Sequence, residues 1–381
     1  MPRELSLRAG NRKTTKSDLG AIDLPYFFLT LLLVAVGLIV LLSASYARAY
    51  HVTGNSASYF TSQLVFALMG IAVMLLVSRV PYDWYRKFYR AIYAVTVLLL
   101  LAVLLVGTNV NGATRWINLG FTQFQPSEIA KFSLILTLSV IMSRYRDEIK
   151  SLRVFFLCAG SLLLIAVLLI LEPHFSATII IASLCFCMMA VGGVNWKYLG
   201  LVMALGGAGL LLLLLTGGYT SERITAWLDP ESDPLDSGLQ ILQSEYAIGS
   251  GGLLGLGLGK GRQKYLYLPE EHNDYIFAIA CEELGFLGAA AILLLFAMLI
   301  LRGYWIAIHA RDRFSMLLGM GLTTLLALQV LLNVAVVTNL LPATGISLPF
   351  FSSGGTALIM QLAECGIVLN ISRSIEGASG A

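Results

Sequence analysis

Two stretches of this sequence place ionisable residues against apolar runs, where each must have a partner or a task. The first is Gln125-Pro126-Ser127-Glu128-Ile129-Ala130-Lys131. A charge at the centre of a membrane helix costs roughly 2.5–3.5 kcal/mol. Pro126 suits a first helical turn, where no amide donor is needed, and Glu128 and Lys131, three residues apart, then share a face. They can pair and point into a polar cavity, or lock two helices together; the sequence permits both. Just upstream, 111–117 reads Asn-Gly-Ala-Thr-Arg-Trp-Ile. Arg115 beside Trp116 offers a planar cation and an aromatic face, suited to phosphate and sugar, and equally at home at any bilayer interface.

The second stretch, 265–278, reads Tyr-Leu-Tyr-Leu-Pro-Glu-Glu-His-Asn-Asp-Tyr-Ile-Phe-Ala. Polar residues Glu270 to Asp274 run directly into an apolar helix. Asn273 or Asp274 can cap that helix, or Asp274 can face a cavity as a proton acceptor. Glu172-Pro173-His174 interrupts two other apolar runs, and His174 there suits a hydrogen-bonded interfacial residue better than a ligand. Segment 340–356 holds two prolines and three glycines among apolar residues. It predicts a re-entrant or broken segment, tolerated at membrane depth where protein or water covers its backbone. Gln329, Asn333, Gln361 and Glu364 read as interhelical hydrogen-bonding residues without chemistry. The glycine-rich run 249–261 is not a phosphate-binding loop: Gly261 follows Lys260 where Ser or Thr is required, and no strand precedes it. Glycine-rich backbone packed against the membrane surface is the better reading.

The elements that must position these residues are membrane helices. The chain of 381 residues is 57% hydrophobic and 12% charged, against about a quarter charged in soluble domains. Apolar runs of roughly 20 residues, the length that crosses a bilayer, recur along the chain; the fold class is all-α, a polytopic membrane protein of about ten transmembrane helices. The spans are 24–46, 59–78, 88–107, 124–142, 154–171, 176–193, 198–216, 273–301, 314–338 and 350–371. The first is too long for a cleaved signal peptide and reads as a retained anchor. One membrane domain, 24–371, is flanked by a basic tail, 1–23, carrying Arg3, Arg8, Arg12, Lys13 and Lys16, and a short tail, 372–381. With ten spans, 18 of the 25 Lys and Arg fall on the side of the termini, which the positive-inside rule makes cytoplasmic. The long connection 217–272, between the seventh and eighth spans, then faces outward. The five cysteines show no metal-ligand spacing, and no basic run suits nucleic acid.

Several motifs in order resemble the family of bacterial shape, elongation, division and sporulation (SEDS) glycan polymerases. They are Gly-Ala-Thr-Arg-Trp-Ile with Gln-Pro-Ser-Glu, the run Gly-Leu-Gln-Ile-Leu-Gln-Ser-Glu-Tyr-Ala-Ile-Gly-Ser-Gly-Gly at 238–252, Pro-Glu-Glu-His-Asn-Asp-Tyr-Ile-Phe, and Pro-Ala-Thr-Gly-Ile-Ser-Leu-Pro-Phe-Phe-Ser. Trp227, Asp229-Pro230, Gln263-Lys264 and Asn273-Asp274 are more similar to the division branch or its sporulation relative than to the elongation branch. The resemblance implies a peptidoglycan glycosyltransferase that polymerises lipid II on the outer face of the bacterial cytoplasmic membrane, at the division septum. It implies Asp274 as general base, with Arg115, Trp116, Glu128, Lys131, Lys264, His272, Asn273 and Ser352 as substrate contacts. The leaving diphosphate needs positive charge from Arg115, Lys131, Lys264 or a divalent cation, Mg²⁺ or Mn²⁺, although no sequence pattern marks a metal. The implied partners are lipid II, a class B penicillin-binding protein that supplies crosslinking, and other division or sporulation membrane proteins. One departure is visible: relatives often carry Gln-Pro-Asp-x-Gly where this chain has Glu172-Pro173-His174-Phe175-Ser176, which puts the role of that Asp in doubt. The competing readings are a flippase for lipid-linked sugar, which needs polar groups reaching both faces, and a division scaffold without activity.

Overall fold

The computed structural model describes residues 20–110, 113–118, 120, 123–215, 219–234 and 238–375. The five basic residues of the N-terminal tail, Asn111 and Gly112 of the Arg115 motif, and the chain beyond 375 lie outside the described residues.

Six helices come first: α1 Leu24–Thr53, α2 Ser58–Val77, α3 Asp83–Val106, α4 Pro126–Arg144, α5 Leu152–Leu171 and α6 Phe175–Gly192. Between α3 and α4 a small antiparallel sheet intervenes, with β2 (Ala113–Asn118) between β1 (Thr108–Val110) and β3 (Gln123–Phe124). Then follow α7 Trp196–Leu215, α8 Tyr219–Leu228, α9 Leu239–Gly251, α10 Ile276–Ile308, α11 Arg313–Val337 and α12 Gly355–Ser372. Among the described residues nine helices are long and apolar enough to cross a membrane, namely α1 to α6 and α10 to α12. Helix α7, of 20 residues, lies where the seventh span is expected. The expected connection 217–272 contains α8 and α9.

Burial sorts the helices. In α4, α11 and α12, 72%, 67% and 61% of the apolar window is buried, against 17% in α3 and 22% in α2. The first three form the centre, and the other two present Leu98, Leu68 and similar side chains outward, as lipid-facing helices do. Small residues permit the closest approaches. A Cβ on Gly366 of α12 would stand 2.5 Å from the carbonyl of Met74 on α2, so α2 and α12 pack backbone against backbone. At one end of the bundle Asp23 caps α1 through the amide of Tyr26 at 2.9 Å and receives Arg302 of α10 at 2.6 Å. Its own amide donates to Ser372 of α12, so one residue joins three helices.

Helix α10 is broken. Gly285 takes φ 67° and ψ −172°, outside the helical region, and the glycine-rich run fills the gap. The amides of Leu256 and Gly257 donate to the carbonyls of Glu282 and Glu283, while Phe286 and Leu287 donate to Gly252 and Leu253. A Cβ on Gly255 would lie 2.2 Å from the Glu283 carbonyl. The glycines are therefore required by backbone contact with a broken membrane helix, which re-satisfies the groups that the break releases.

Candidate active site

Asp274 stands directly before the short first part of α10. The N-cap of α10 is Tyr275, and no side chain caps it, so the capping reading of Asn273 and Asp274 does not hold. Asn273 instead donates to the Glu270 carboxylate at 2.6 Å. The Asp274 carbonyl accepts from Asn333 Nδ2 of α11 at 2.8 Å, and the same nitrogen donates to the carbonyl of Ile346 at 2.6 Å. One amide thus joins Asp274 to segment 340–354, the irregular chain between α11 and α12. The carboxylate faces Gly345 of that segment: a Cβ there would meet Oδ2 at 3.1 Å, and φ is 67°. Glycine satisfies both constraints at once.

Segment 340–354 is the broken element anticipated from its prolines and glycines, and protein groups cover its backbone. Gln63 donates to the carbonyl of Ser352 at 3.1 Å and accepts from the amide of Gly354 at 3.2 Å. Gln361 accepts from the amide of Phe350 at 3.1 Å. The Ser352 hydroxyl donates to the Asn273 carbonyl at 2.7 Å and accepts from the amide of Leu348 at 2.8 Å. Asn333 and Gln361, expected to join helix to helix, bind this segment instead. From α8, Arg223 donates to the carbonyl of Ala343 and Trp227 to that of Asn339.

Arg115 lies on β2 beside the partly buried Trp116, and its guanidinium donates to the carbonyl of Pro173. It acts on three titratable groups. Burial pushes the Asp274 carboxyl up to about 6, Glu270 adds to the rise, and Arg223 and Arg115 oppose it. Burial likewise raises Glu172 to about 8 against Arg115. Burial, then Arg115 and Lys131, lowers His174 to about 3, so this imidazole is neutral. The Nε2 atoms of Gln125 and His174 lie 3.3 Å apart. Within α4, Lys131 and Glu128 pair at 2.8 Å, with 4% and 9% of each residue exposed. Glu364 of α12, expected only to pack helices, is near enough to interact with both.

The structure thus gathers Arg115, Glu128, Lys131 and Asp274 and adds Glu172, His174 and Arg223. It uses other expected contact residues differently. Lys264 is 2% exposed; its Nζ lies 2.6 Å from Glu283 and 3.0 Å from Ser43, so the charge expected to meet a diphosphate is held at the α10 break. His272 is buried edge-on to Tyr59 at 4.8 Å, beside the ion pair of Glu271 with Arg48 at 2.7 Å. Asn273 and Ser352 bind the chain itself. Sequence reasoning missed Arg223, although a basic residue on the longest connection was a signal, and it gave Gln63 and Asn333 no part in the site. Among the described residues no group of three or more His, Cys, Asp or Glu converges as metal donors.

Residues 24–377 match the family model FTSW_RODA_SPOVE, described as "Cell cycle protein". The chain belongs to this FtsW/RodA/SpoVE family. It is 39% identical to Stage V sporulation protein E of Bacillus subtilis (strain 168), over 92% of this chain and 97% of that one. It is 37% identical to the probable peptidoglycan glycosyltransferase FtsW of Geobacter sulfurreducens, over 93% and 96%. Among solved structures it resembles a chain of a peptidoglycan synthase complex in which polymerization and crosslinking are coordinated, with TM-score 0.78 and 29% identity over 94% of this chain and 99% of that chain. The rod shape determining protein RodA of Thermus thermophilus superposes with TM-score 0.71 at 28% identity, over 93% and 98%. Family membership and the apolar helices make this FtsW/RodA/SpoVE protein a multi-pass membrane protein.

Proposed function

We propose that this chain is a peptidoglycan glycosyltransferase that polymerises lipid II into glycan strands at the outer face of the bacterial cytoplasmic membrane, in division or sporulation. The observation that carries this reading is the Asp274 carboxylate, half-buried beside Gly345 and acted on by Arg115 and Arg223. A carboxyl near 6 is ionised at neutral pH yet more basic than an exposed aspartate, as a general base should be. In the reaction the acceptor hydroxyl gives its proton to Asp274 as its oxygen bonds to the anomeric carbon of the donor. The bond from that carbon to the diphosphate breaks, and its electron pair leaves with the polyprenyl diphosphate. Arg115 and Arg223 face the charge that develops, a contribution of about 3–4 kcal/mol for one well-placed donor.

The surplus of Lys and Arg on the side of the termini, 18 of 25, supports placing them in the cytoplasm and the site outside. The ionisable cluster at one end of the bundle favours an enzyme over a flippase; at the end marked by Asp23, that carboxylate and Arg302 are paired with each other. A class B penicillin-binding protein at the septum is the fitting partner, because a similar solved chain works in a complex that also crosslinks. The test is incubation of the purified protein, with and without such a partner whose transpeptidase is blocked, with fluorescent lipid II. A ladder of long glycan products supports the reading. Lipid II moved between leaflets of proteoliposomes without any product would replace it with the flippase.

A further inference from the structure

Glu172 follows α5 and is 1% exposed, and among the described residues neither carboxylate oxygen has a hydrogen-bond partner. Two residues on, the His174 ring is 7% exposed with Nδ1 likewise unpartnered. Pro173 between them takes φ 28° and receives the Arg115 guanidinium on its carbonyl. A carboxylate deep in protein without donors is expensive unless it is protonated or paired. The charged group acting on it is Arg115 of β2. Of the other charged groups nearby, Lys131 of α4 acts on His174, and Arg223 and Glu270 act on Asp274 along with Arg115.

We propose that Glu172 is a positioning residue that sets how much of the Arg115 charge the substrate diphosphate meets. Protonated, Glu172 leaves that charge to the ligand; ionised, it pairs with Arg115 and competes with the ligand for it. The proposal rests on the glycosyltransferase reading for its substrate but not for its electrostatics. The sign follows from the burial that raises this carboxyl to about 8: binding is strong below that pH and weakens above it. A diphosphate diester has no ionisation in this range, so the change belongs to the protein.

The experiment is the KM and kcat of lipid II polymerisation between about pH 6.5 and 9.5, for the wild type and Glu172→Gln, each with its transpeptidase partner. A group titrating near 8 that blocks binding when ionised raises KM about tenfold at pH 9, with kcat little changed. Glu172→Gln should flatten that rise, so that its KM at pH 9 stays close to its own KM at pH 7. Farnesyl diphosphate binding to both proteins across the same range gives a reading without turnover; its terminal phosphate loses its last proton at about 6 with either protein, so the difference between the two proteins carries the answer. A Glu172→Gln protein that keeps the wild-type pH dependence of KM and of farnesyl diphosphate binding overturns the proposal. Failure of the wild type to polymerise would overturn the proposed function alone, since the farnesyl diphosphate measurement still decides the role of Glu172.

Discussion

Replacing Asn333 by Leu tests whether α11 holds Asp274 against segment 340–354. Asn333 is wholly buried, and its Nδ2 serves two carbonyls, Asp274 at 2.8 Å and Ile346 at 2.6 Å. Leucine has similar volume and no donor, so both carbonyls lose this partner. Each buried acceptor left unsatisfied costs about 1–3 kcal/mol. The side-chain oxygen of Asn333 already lacks a partner among the described residues, and its removal returns part of that. A net loss of roughly 2–4 kcal/mol follows, enough to lower the melting temperature without unfolding the bundle. The catalytic effect should be larger than the stability effect, because displacement of a reacting group by about 1 Å can cost a hundredfold in rate. The assay is a thermal melt in detergent beside the initial rate of glycan formation from fluorescent lipid II. A folded Asn333→Leu protein that polymerises at the wild-type rate would refute the positioning argument.

Other outcomes follow from the same geometry. Polymerisation by the wild type should rise with pH through about 6 as Asp274 ionises, and Arg223→Gln, which removes a group that lowers that carboxyl, should move the midpoint upward; a pH–rate profile of each protein reads both. Lys264→Met leaves Glu283 buried with Ser43 and the amides of Gly259 and Gly261 as its remaining donors. It should destabilise by about 3 kcal/mol, the low end for breaking a buried pair, and Glu283→Gln in the same chain should recover part of the melting temperature. Gly255→Ala should lower expression and melting temperature, because its Cβ would meet backbone at 2.2 Å. Glu128→Ala leaves Lys131 buried without its 2.8 Å partner, and the rate of glycan formation should fall at least tenfold.

The spans were legible because hydrophobicity over twenty residues is a property of the sequence alone. Helices α2, α5 and α6 begin and end within two residues of the expected spans 59–78, 154–171 and 176–193. The broken character of 340–354 was legible for a similar reason, since Pro342, Pro349, Gly345 and Gly354 cannot continue a helix comfortably. The break in α10 was not. A single glycine such as Gly285 is common in membrane helices, and only the facing run 252–257 makes it a break. The partner of Lys264 is Glu283, 19 residues away, and the signal for it is the pair Glu282-Glu283 inside the apolar span 273–301, where a carboxylate needs a buried cation. Asn333 and Gln361 were correctly read as hydrogen-bonding residues, but which backbone they serve is set by the path of segment 340–354. The β2 strand that carries Arg115 pairs with strands of two and three residues, too short to leave a pattern.

Comparison of the wild type with Asp274→Asn in lipid II polymerisation, with the partner transpeptidase blocked and both proteins shown to be folded, tests the central claim most directly. Glycan strands should form with the wild type, and the variant should lose at least a hundredfold in rate, since asparagine keeps the shape and cannot accept the proton. Equal rates from the two proteins would contradict it and return Asp274 to the architecture of the loop.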